Sequence, residues 1–339
     1  MKETQALTLK DLDYSYPEKL IATKPQRPSR ILLNQGGANS ELSKEKLLGL
    51  FQPGDVLVVN DTKVTPKRIF TDKDTEILFL DPVGDGVWTA LFPAKKLKVG
   101  DILNLPGGVS AELIEKSFPL KIKLSQNLDE PYFLEHGHPA LPPYIQKARG
   151  ERKAQQEDYK WYQTDWAEKV GSSAAPTASL HFTNNDLEAL KQKGVKLCFV
   201  TLHVGLGTFM PLRNDDVTSN ELHSEFVSLS KETIEVIESA KGKVWAMGTT
   251  VTRSLESYAN GLLEEGSDRF SGSTKLFIYP GYQFKIVSAL LTNFHQPKSS
   301  LLALVFAFSD MENVKKAYQY AIQKEFKLFS YGDLSVWLV

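Results

Sequence analysis

The amino-acid sequence predicts an α/β protein of more than one domain: a layered α/β main domain with a small β-barrel domain inserted into it. Three observations lead there. Residues 54–60, GDVLVVN, form a continuous apolar run after a Pro-Gly turn and read as a buried strand. Five short strand-like segments then follow at intervals of roughly 8–12 residues, with turns between them and no helical period. From about residue 160 onward, strands and helices alternate. A chain of 339 residues has room for about two domains. The expected division is a discontinuous α/β domain, 1–68 with 150–339, and an inserted barrel, 69–149.

Taken in order, the strands of the inserted unit are expected at 76–80, 87–92, 101–105, 109–114 and 120–124. Turns at Asp81-Pro82, Gly84-Asp85-Gly86, Val99-Gly100-Asp101 and Pro106-Gly107-Gly108 separate them. After Pro142-Pro143 the chain becomes polar, and 146–160 reads as a linker or an exposed helix. Thr183 and Asp186 make a capping box that opens a helix, and Gly194 closes it. A strand over 195–204 follows. Ser230 caps a helix with Ile234, Ile237 and Ala240 on one face, and a strand occupies 243–247. A helix starts near Thr250, a strand is expected at 275–279, and Ser299-Ser300 open an apolar helix. An amphipathic helix over about 312–326 ends the pattern.

Composition narrows the function classes. Lys and Arg number 40 against 41 Asp and Glu, so the formal charge of −1 excludes a uniformly basic nucleic-acid coat and confines RNA contacts to local patches. One cysteine, Cys198, allows neither an intramolecular disulfide nor a multi-cysteine zinc site. The opening residues lack a signal-peptide core, and the longest apolar run, 301–308, is far short of the ~20 residues that span a bilayer. A water-soluble cytoplasmic protein is expected, monomeric and without a membrane partner. Gly205-Leu206-Gly207 begins like a dinucleotide fingerprint, but its third glycine would fall at Met210. No phosphate loop, nucleophile elbow or zinc helix is present, so no metal is expected.

Four loops combine small polar residues with histidines. Residues 174–182, AAPTASLHF, bring Ala175, Pro176, Thr177 and Ser179 beside His181: small residues admit a ligand and an imidazole can move a proton. Residues 201–209, TLHVGLGTF, place His203 ahead of Gly205, Gly207 and Thr208 at the carboxyl end of a strand. In 247–257 a strand runs through Thr249 and Thr250 into a helix whose first N–H groups suit an anion. Arg253 and Glu256 share a face of that helix, a pairing equally suited to ligand contact or to an ordinary surface ion pair. Residues 277–302 carry Tyr279 and Tyr282 on a turn, then Asn293 and His295.

Taken together with residues 20–33, 54–69, LPPYI at 141–145, HSEF at 223–226 and FSYGD at 329–333, these loops resemble the S-adenosylmethionine:tRNA ribosyltransferase-isomerase family of queuosine biosynthesis. The resemblance runs through nearly the whole chain and is weakest in the strand-rich block. It implies transfer and isomerisation of the ribosyl part of S-adenosylmethionine onto 7-aminomethyl-7-deazaguanine at the wobble position of tRNA, with release of adenine and methionine. It also implies His203 as general base, with His181 and His295 to protonate adenine or orient substrate. Arg253 with the amides of Thr249 and Thr250 would hold the methionine carboxylate. Glu256 would take its ammonium or a ribose hydroxyl, and Gly205 and Gly207 would admit the co-substrate. Lys63, Lys67 and Arg68, with Tyr279 and Tyr282, would contact tRNA. Ser179 stands where a glycine is usual in the family, Lys63 where arginine is usual and Lys67 where a small residue is usual. A methyltransferase, or a tRNA-binding homologue without the chemistry, are the competing expectations.

Overall fold

Ten strands form one mixed sheet in the order Glu264–Glu265, Arg269–Thr274, Glu225–Ser230, Lys196–Leu202, Val56–Asn60, Val244–Met247, Ala289–Asn293, Leu334–Leu338, Ile31–Gln35 and Ala38–Leu42. The computed structural model that carries it describes residues 7–205 and 211–338. The four central strands, from Lys196–Leu202 across to Ala289–Asn293, run parallel. In Val56–Asn60 every residue is buried. Val56 and Val58 face a core shared with Ile234, Leu255 and Val305, whereas Leu57 and Val59 face Phe51, Leu190 and Trp245. Layers on both faces explain why this strand reads as a continuous apolar run.

Asp55 ties the amino ends of three of these strands together. Its Oδ1 accepts from Lys243 N at 2.7 Å, and its Oδ2 accepts from Trp245 Nε1 at 2.9 Å. Its carbonyl accepts from Lys196 N at 2.9 Å. Helices close the layers where local signals place them: Asn184–Gln192 behind the Thr183–Asp186 capping box, Lys231–Glu238 behind Ser230, and Ser300–Phe308 behind Ser299. No helix among the described residues is long and apolar enough to cross a membrane.

The second sheet has six antiparallel strands, ordered Arg68–Phe70, Glu76–Gly84, Val87–Leu91, Leu120–Leu124, Ser110–Glu115 and Ile102–Asn104. Ile77, Phe79, Trp88 and Ile122 fill its concave side together with Phe133 from the helix Glu130–His136. The sheet curls until its two edges touch, where Asp72 N donates to Asn104 O at 3.1 Å and Asn104 Nδ2 to Asp72 Oδ2 at 3.0 Å. The chain enters and leaves at one point: Arg68 N donates to His138 O at 3.2 Å and His138 N to Arg68 O at 2.8 Å.

Two expected elements differ. Residues 275–279 are not a strand; the sheet takes Arg269–Thr274 instead. The Thr274 hydroxyl accepts from Leu276 N at 3.1 Å, and the Leu276 carbonyl accepts from Arg253 Nε at 3.1 Å, so side chains claim the backbone groups a ladder would need. Residues 146–160 are mostly exposed, as expected, but they form neither a free linker nor a single helix. Two helices, Pro143–Arg149 and Asp158–Trp161, are joined by a buried bidentate pair between Arg149 and Asp158. Tyr331 also donates to Asp158 Oδ1 at 2.9 Å, binding this segment to the carboxyl-terminal turn.

Removing the carboxylate leaves the Arg149 guanidinium buried without its counter-charge. Asp158→Ala is therefore expected to destabilise the fold by about 3–5 kcal/mol, read as a lowered urea midpoint at unchanged m-value.

Candidate functional site

The four parallel strands end together at Asn60, Leu202, Met247 and Asn293, and the segments that follow them carry Thr62, His203, Thr249, Thr250 and His295. Open α/β sheets bind ligands at this edge. Asn60 organises one half of it. Its buried amide donates to Leu202 O at 3.0 Å, and its Oδ1 accepts from Leu202 N and Thr62 N at 3.1 Å each. With both turns held by one side chain, Thr62 Oγ1 meets His203 Nδ1 at 2.7 Å. The His203 ring lies flat on Phe226, with centroids 5.8 Å apart, and over Gly171, where a Cβ would come within 2.9 Å of it.

His203 Nε2 has no hydrogen-bond partner among the described residues. The ring lines a cleft of about 490 Å³ between the two sheets, together with Lys67, Phe118, Val170, His223 and Glu225. Burial, and then the nearby Lys67 ammonium, hold its pKa below the usual value of 6.5. The imidazole is neutral near pH 7 and able to accept a proton.

A narrower pocket adjoins this cleft at Val204. Ala174, Ala175, Pro176, Thr177, Thr249, Thr250 and His295 line it. The helix Thr249–Ala259 begins at Gly248 without a side-chain cap, leaving the N–H groups of its first turn without intrahelical acceptors. Thr250 Oγ1 is buried and has no partner among the described residues.

His181 stands behind the pocket. Asn293 Nδ2 donates to its Nε2 at 3.0 Å, so Nδ1 carries the proton and donates to Ser29 Oγ at 2.6 Å. Thr177 Oγ1 completes the chain by donating to Asn293 Oδ1 at 2.8 Å. Burial, followed by Lys44 and Arg27, pushes His181 down to about 3, and burial alone does the same to His295. The His295 ring meets Thr292 Oγ1 at 2.8 Å. Ser179 is fully buried and its φ is not positive, so a serine fits the backbone where the resemblance has glycine.

Several expected site residues have other places. Arg253 is buried and faces inward: its Nη1 donates to Glu225 Oε2, and Glu225 Oε1 accepts from Gly205 N at 3.0 Å. A guanidinium this deep needs a carboxylate beside it; Glu225 supplies it through Nη1, while Arg253 Nη2 is buried with no hydrogen-bond partner among the described residues. Glu256 is fully buried and accepts four hydrogen bonds, from the N–H groups of Lys285, Ile286 and Val287 and from the Tyr282 hydroxyl. It folds the 282–287 loop and does not share a partner with Arg253. Tyr282 packs on Phe284 and Tyr279 on Phe277, with centroids 5.1 and 5.2 Å apart.

The basic trio also separates. Lys63 pairs with Glu130 at 3.4 Å on the surface, and Lys67 Nζ donates to Leu80 O at 3.1 Å at the cleft wall. Arg68, 1% exposed, grips Glu76 bidentately and Gln146 at 2.9 Å, so it offers RNA nothing. Gly207 and Thr208 lie outside the described residues. Sequence reasoning missed Asn60, Thr62, Glu225 and Phe226; the HSEF segment was the available signal for the last two.

The family described as queuosine biosynthesis protein matches residues 9–337. The chain is 39% identical over 342 residues to the S-adenosylmethionine:tRNA ribosyltransferase-isomerase of Sulfurihydrogenibium sp. (strain YO3AOP1), covering 96% of this chain and 98% of that one. It is 40% identical over 353 residues to the protein of the same name from Staphylococcus aureus (strain JH9), with the same coverage. The crystal structure of an S-adenosylmethionine tRNA ribosyltransferase from Thermotoga maritima is similar at 30% identity and a TM-score of 0.54, covering 97% of this chain and 100% of that one. With a match over residues 9–337 that takes in strands of both sheets, the chain belongs to the queuosine biosynthesis protein family.

Proposed function

We propose that this enzyme transfers and isomerises the ribosyl moiety of S-adenosylmethionine onto 7-aminomethyl-7-deazaguanine at the wobble position of tRNA, giving epoxyqueuosine and releasing adenine and methionine. The observation that carries the reading is His203: a neutral imidazole, fixed at Nδ1 by Thr62, with Nε2 open to the cleft. Family membership and the relatives' names support the same reaction class. In this reading the catalytic unit is 1–68 with 150–339, the curled sheet is an inserted barrel-like unit, and the protein works as a cytoplasmic monomer.

The chemistry follows from the sulfonium, which acidifies the neighbouring 5′ carbon of the ribose. His203 Nε2 takes a proton there, the electron pair left behind opens the ribose ring at C4′–O4′, and the ring oxygen becomes a C1′ aldehyde as the C1′–N bond breaks with its pair going to adenine. The proton held on His203 passes to the departing adenine. The amine of the target base then bonds to C4′ and loses one proton to solvent, C5′ closes on C1′, and the resulting alkoxide forms the epoxide by displacing the sulfur, which leaves with its bonding pair as neutral methionine. The first-turn amides of Thr249 and Thr250, with Thr250 Oγ1, hold the methionine carboxylate in the narrow pocket. Ala174 and Ala175 admit the adenosine part, and His295 offers a neutral ring beside it. His181 is a positioning residue that sets Asn293 and Thr177. Arg253 acts at one remove, by holding Glu225 against the Gly205 amide.

Incubation with S-adenosylmethionine and tRNA bearing 7-aminomethyl-7-deazaguanine is expected to release adenine and methionine only when that tRNA is present, as seen by chromatography. Appearance of S-adenosylhomocysteine instead would overturn the proposal in favour of methyl transfer. His203→Gln is expected to lower kcat about 100- to 10,000-fold while tRNA affinity stays at the wild-type level; near-normal turnover removes His203 from the mechanism.

The pH profile has a definite sign. Because the pKa of His203 is lowered, its neutral form persists as pH falls, and the acid limb of kcat should lie below 6.5. Lys67→Met takes away a cation that disfavours the imidazolium, so at saturating tRNA the limb should move upward. Since burial is the larger cause, it should still lie below 6.5. A limb unmoved by the substitution means that another group titrates.

A further inference from the structure

Phe118 is the most exposed large apolar side chain among the described residues, at 66%. It sits in the turn between Ser110–Glu115 and Leu120–Leu124 of the curled sheet and reaches toward the other half of the molecule. Its ring centroid lies 6.5 Å from that of His223. Phe118 also separates two grooves. The inner one is the cleft that contains His203 and Lys67, and its far wall exposes Val170 and Phe226, at 45% and 44%. The outer one is lined by Lys95, Lys116 and Arg152. Arg152 is neutralised by Asp74, whereas neither Lys95 nor Lys116 has an acidic partner among the described residues.

Fold stability does not account for this arrangement. A phenylalanine stabilises a fold by being buried, and three uncovered apolar side chains around one cleft mark a place where something flat and apolar settles. The carboxylates of Asp81 and Glu225 lie in the inner cleft, whereas in the outer groove Glu76 is taken up by Arg68 and Lys95 and Lys116 have no acidic partner among the described residues, so the outer groove suits a polyanion. An RNA strand meets both demands, with bases that stack on aromatic rings and phosphates that sit near lysines. Enzymes that act on a base take it out of the stack, and the neighbouring base then needs a new face to lie on.

We infer that Phe118 is the stacking platform of the RNA path. A nucleotide next to the target lies on its ring, its phosphates near Lys95 and Lys116. The target base passes between Phe118 and Phe226 toward His203. The inference rests on the proposed action on tRNA, and it assigns to Phe118 the stacking role for which the sequence suggested Tyr279 and Tyr282.

The test compares Phe118→Ala with Phe118→Trp in the full chain. Binding of the precursor tRNA is followed by fluorescence anisotropy, S-adenosylmethionine affinity by calorimetry, and adenine release by chromatography. Phe118→Ala should weaken tRNA binding about 5- to 150-fold, the range for losing one base–aromatic stack. Phe118→Trp should restore it, with S-adenosylmethionine affinity and Tm unchanged in both. Unchanged tRNA affinity in Phe118→Ala, or an equal loss in both variants, overturns the platform. The two proposals fail separately. Wild-type protein that releases no adenine while Phe118→Ala still loses tRNA affinity defeats the reaction and keeps the platform. Wild-type turnover with undiminished binding by Phe118→Ala defeats the platform alone.

Discussion

Asn60 does the work of a piece of backbone. The strand Val56–Asn60 ends there, yet its pairing to Lys196–Leu202 continues one step further through the carboxamide, which donates to Leu202 O and accepts from Leu202 N. The same oxygen holds Thr62 N. Three bonds on one fully buried side chain thus set the spacing of two turns, and the Thr62–His203 contact depends on that spacing. An apolar residue of similar size would fill the space and leave Leu202 N and O without partners, at about 1–3 kcal/mol for each buried group. At the opposite end of the strands Asp55 plays a matching part, so the central sheet is sutured by side chains at both ends.

Buried charge is used throughout to hold segments together. Arg253–Glu225 braces the Gly205 turn, Arg149–Asp158 joins two short helices, and Glu256 gathers three consecutive amides of one loop. Each pair neutralises itself internally. The near-zero net charge of the sequence is therefore compatible with a groove where Lys95 and Lys116 have no acidic partner among the described residues, because many of the other charges are already matched within the fold. Field lines from two such lysines over a low-dielectric wall act on a polyanion at short range, where salt screens them least.

Features with local causes were legible in the sequence. The apolar run 54–60 contains Val56–Asn60, the capping box at Thr183 and Asp186 opens Asn184–Gln192, and the segments expected at 76–80, 87–92 and 120–124 correspond within a few residues to Glu76–Gly84, Val87–Leu91 and Leu120–Leu124. The small-residue loops do converge with His203 and His295 at one sheet edge. Partner choice was not legible. Arg253 pairs with Glu225, 28 residues earlier, a partner that its own helix does not reveal. Arg68 reads as part of a basic surface run until Glu76 is brought beside it by strand pairing. Residues 275–279 carry a strand-like apolar pattern, but the order of strands in the sheet, which local pattern does not encode, gives the place to Arg269–Thr274.

The crossing at Arg68 and His138 bears on how such a protein evolves. These two residues exchange both backbone hydrogen bonds, so the backbone between them leaves and rejoins the rest of the chain at one closed stem, with side-chain ties such as Arg152–Asp74 and Lys63–Glu130 beside it. Lengthening a hairpin or replacing a turn within that loop leaves the stem, and hence the strand ends around His203, where they were. Selection can therefore reshape the curled sheet at a rate of its own. That is the pattern expected if one part of an enzyme keeps the chemistry constant while another follows a drifting partner.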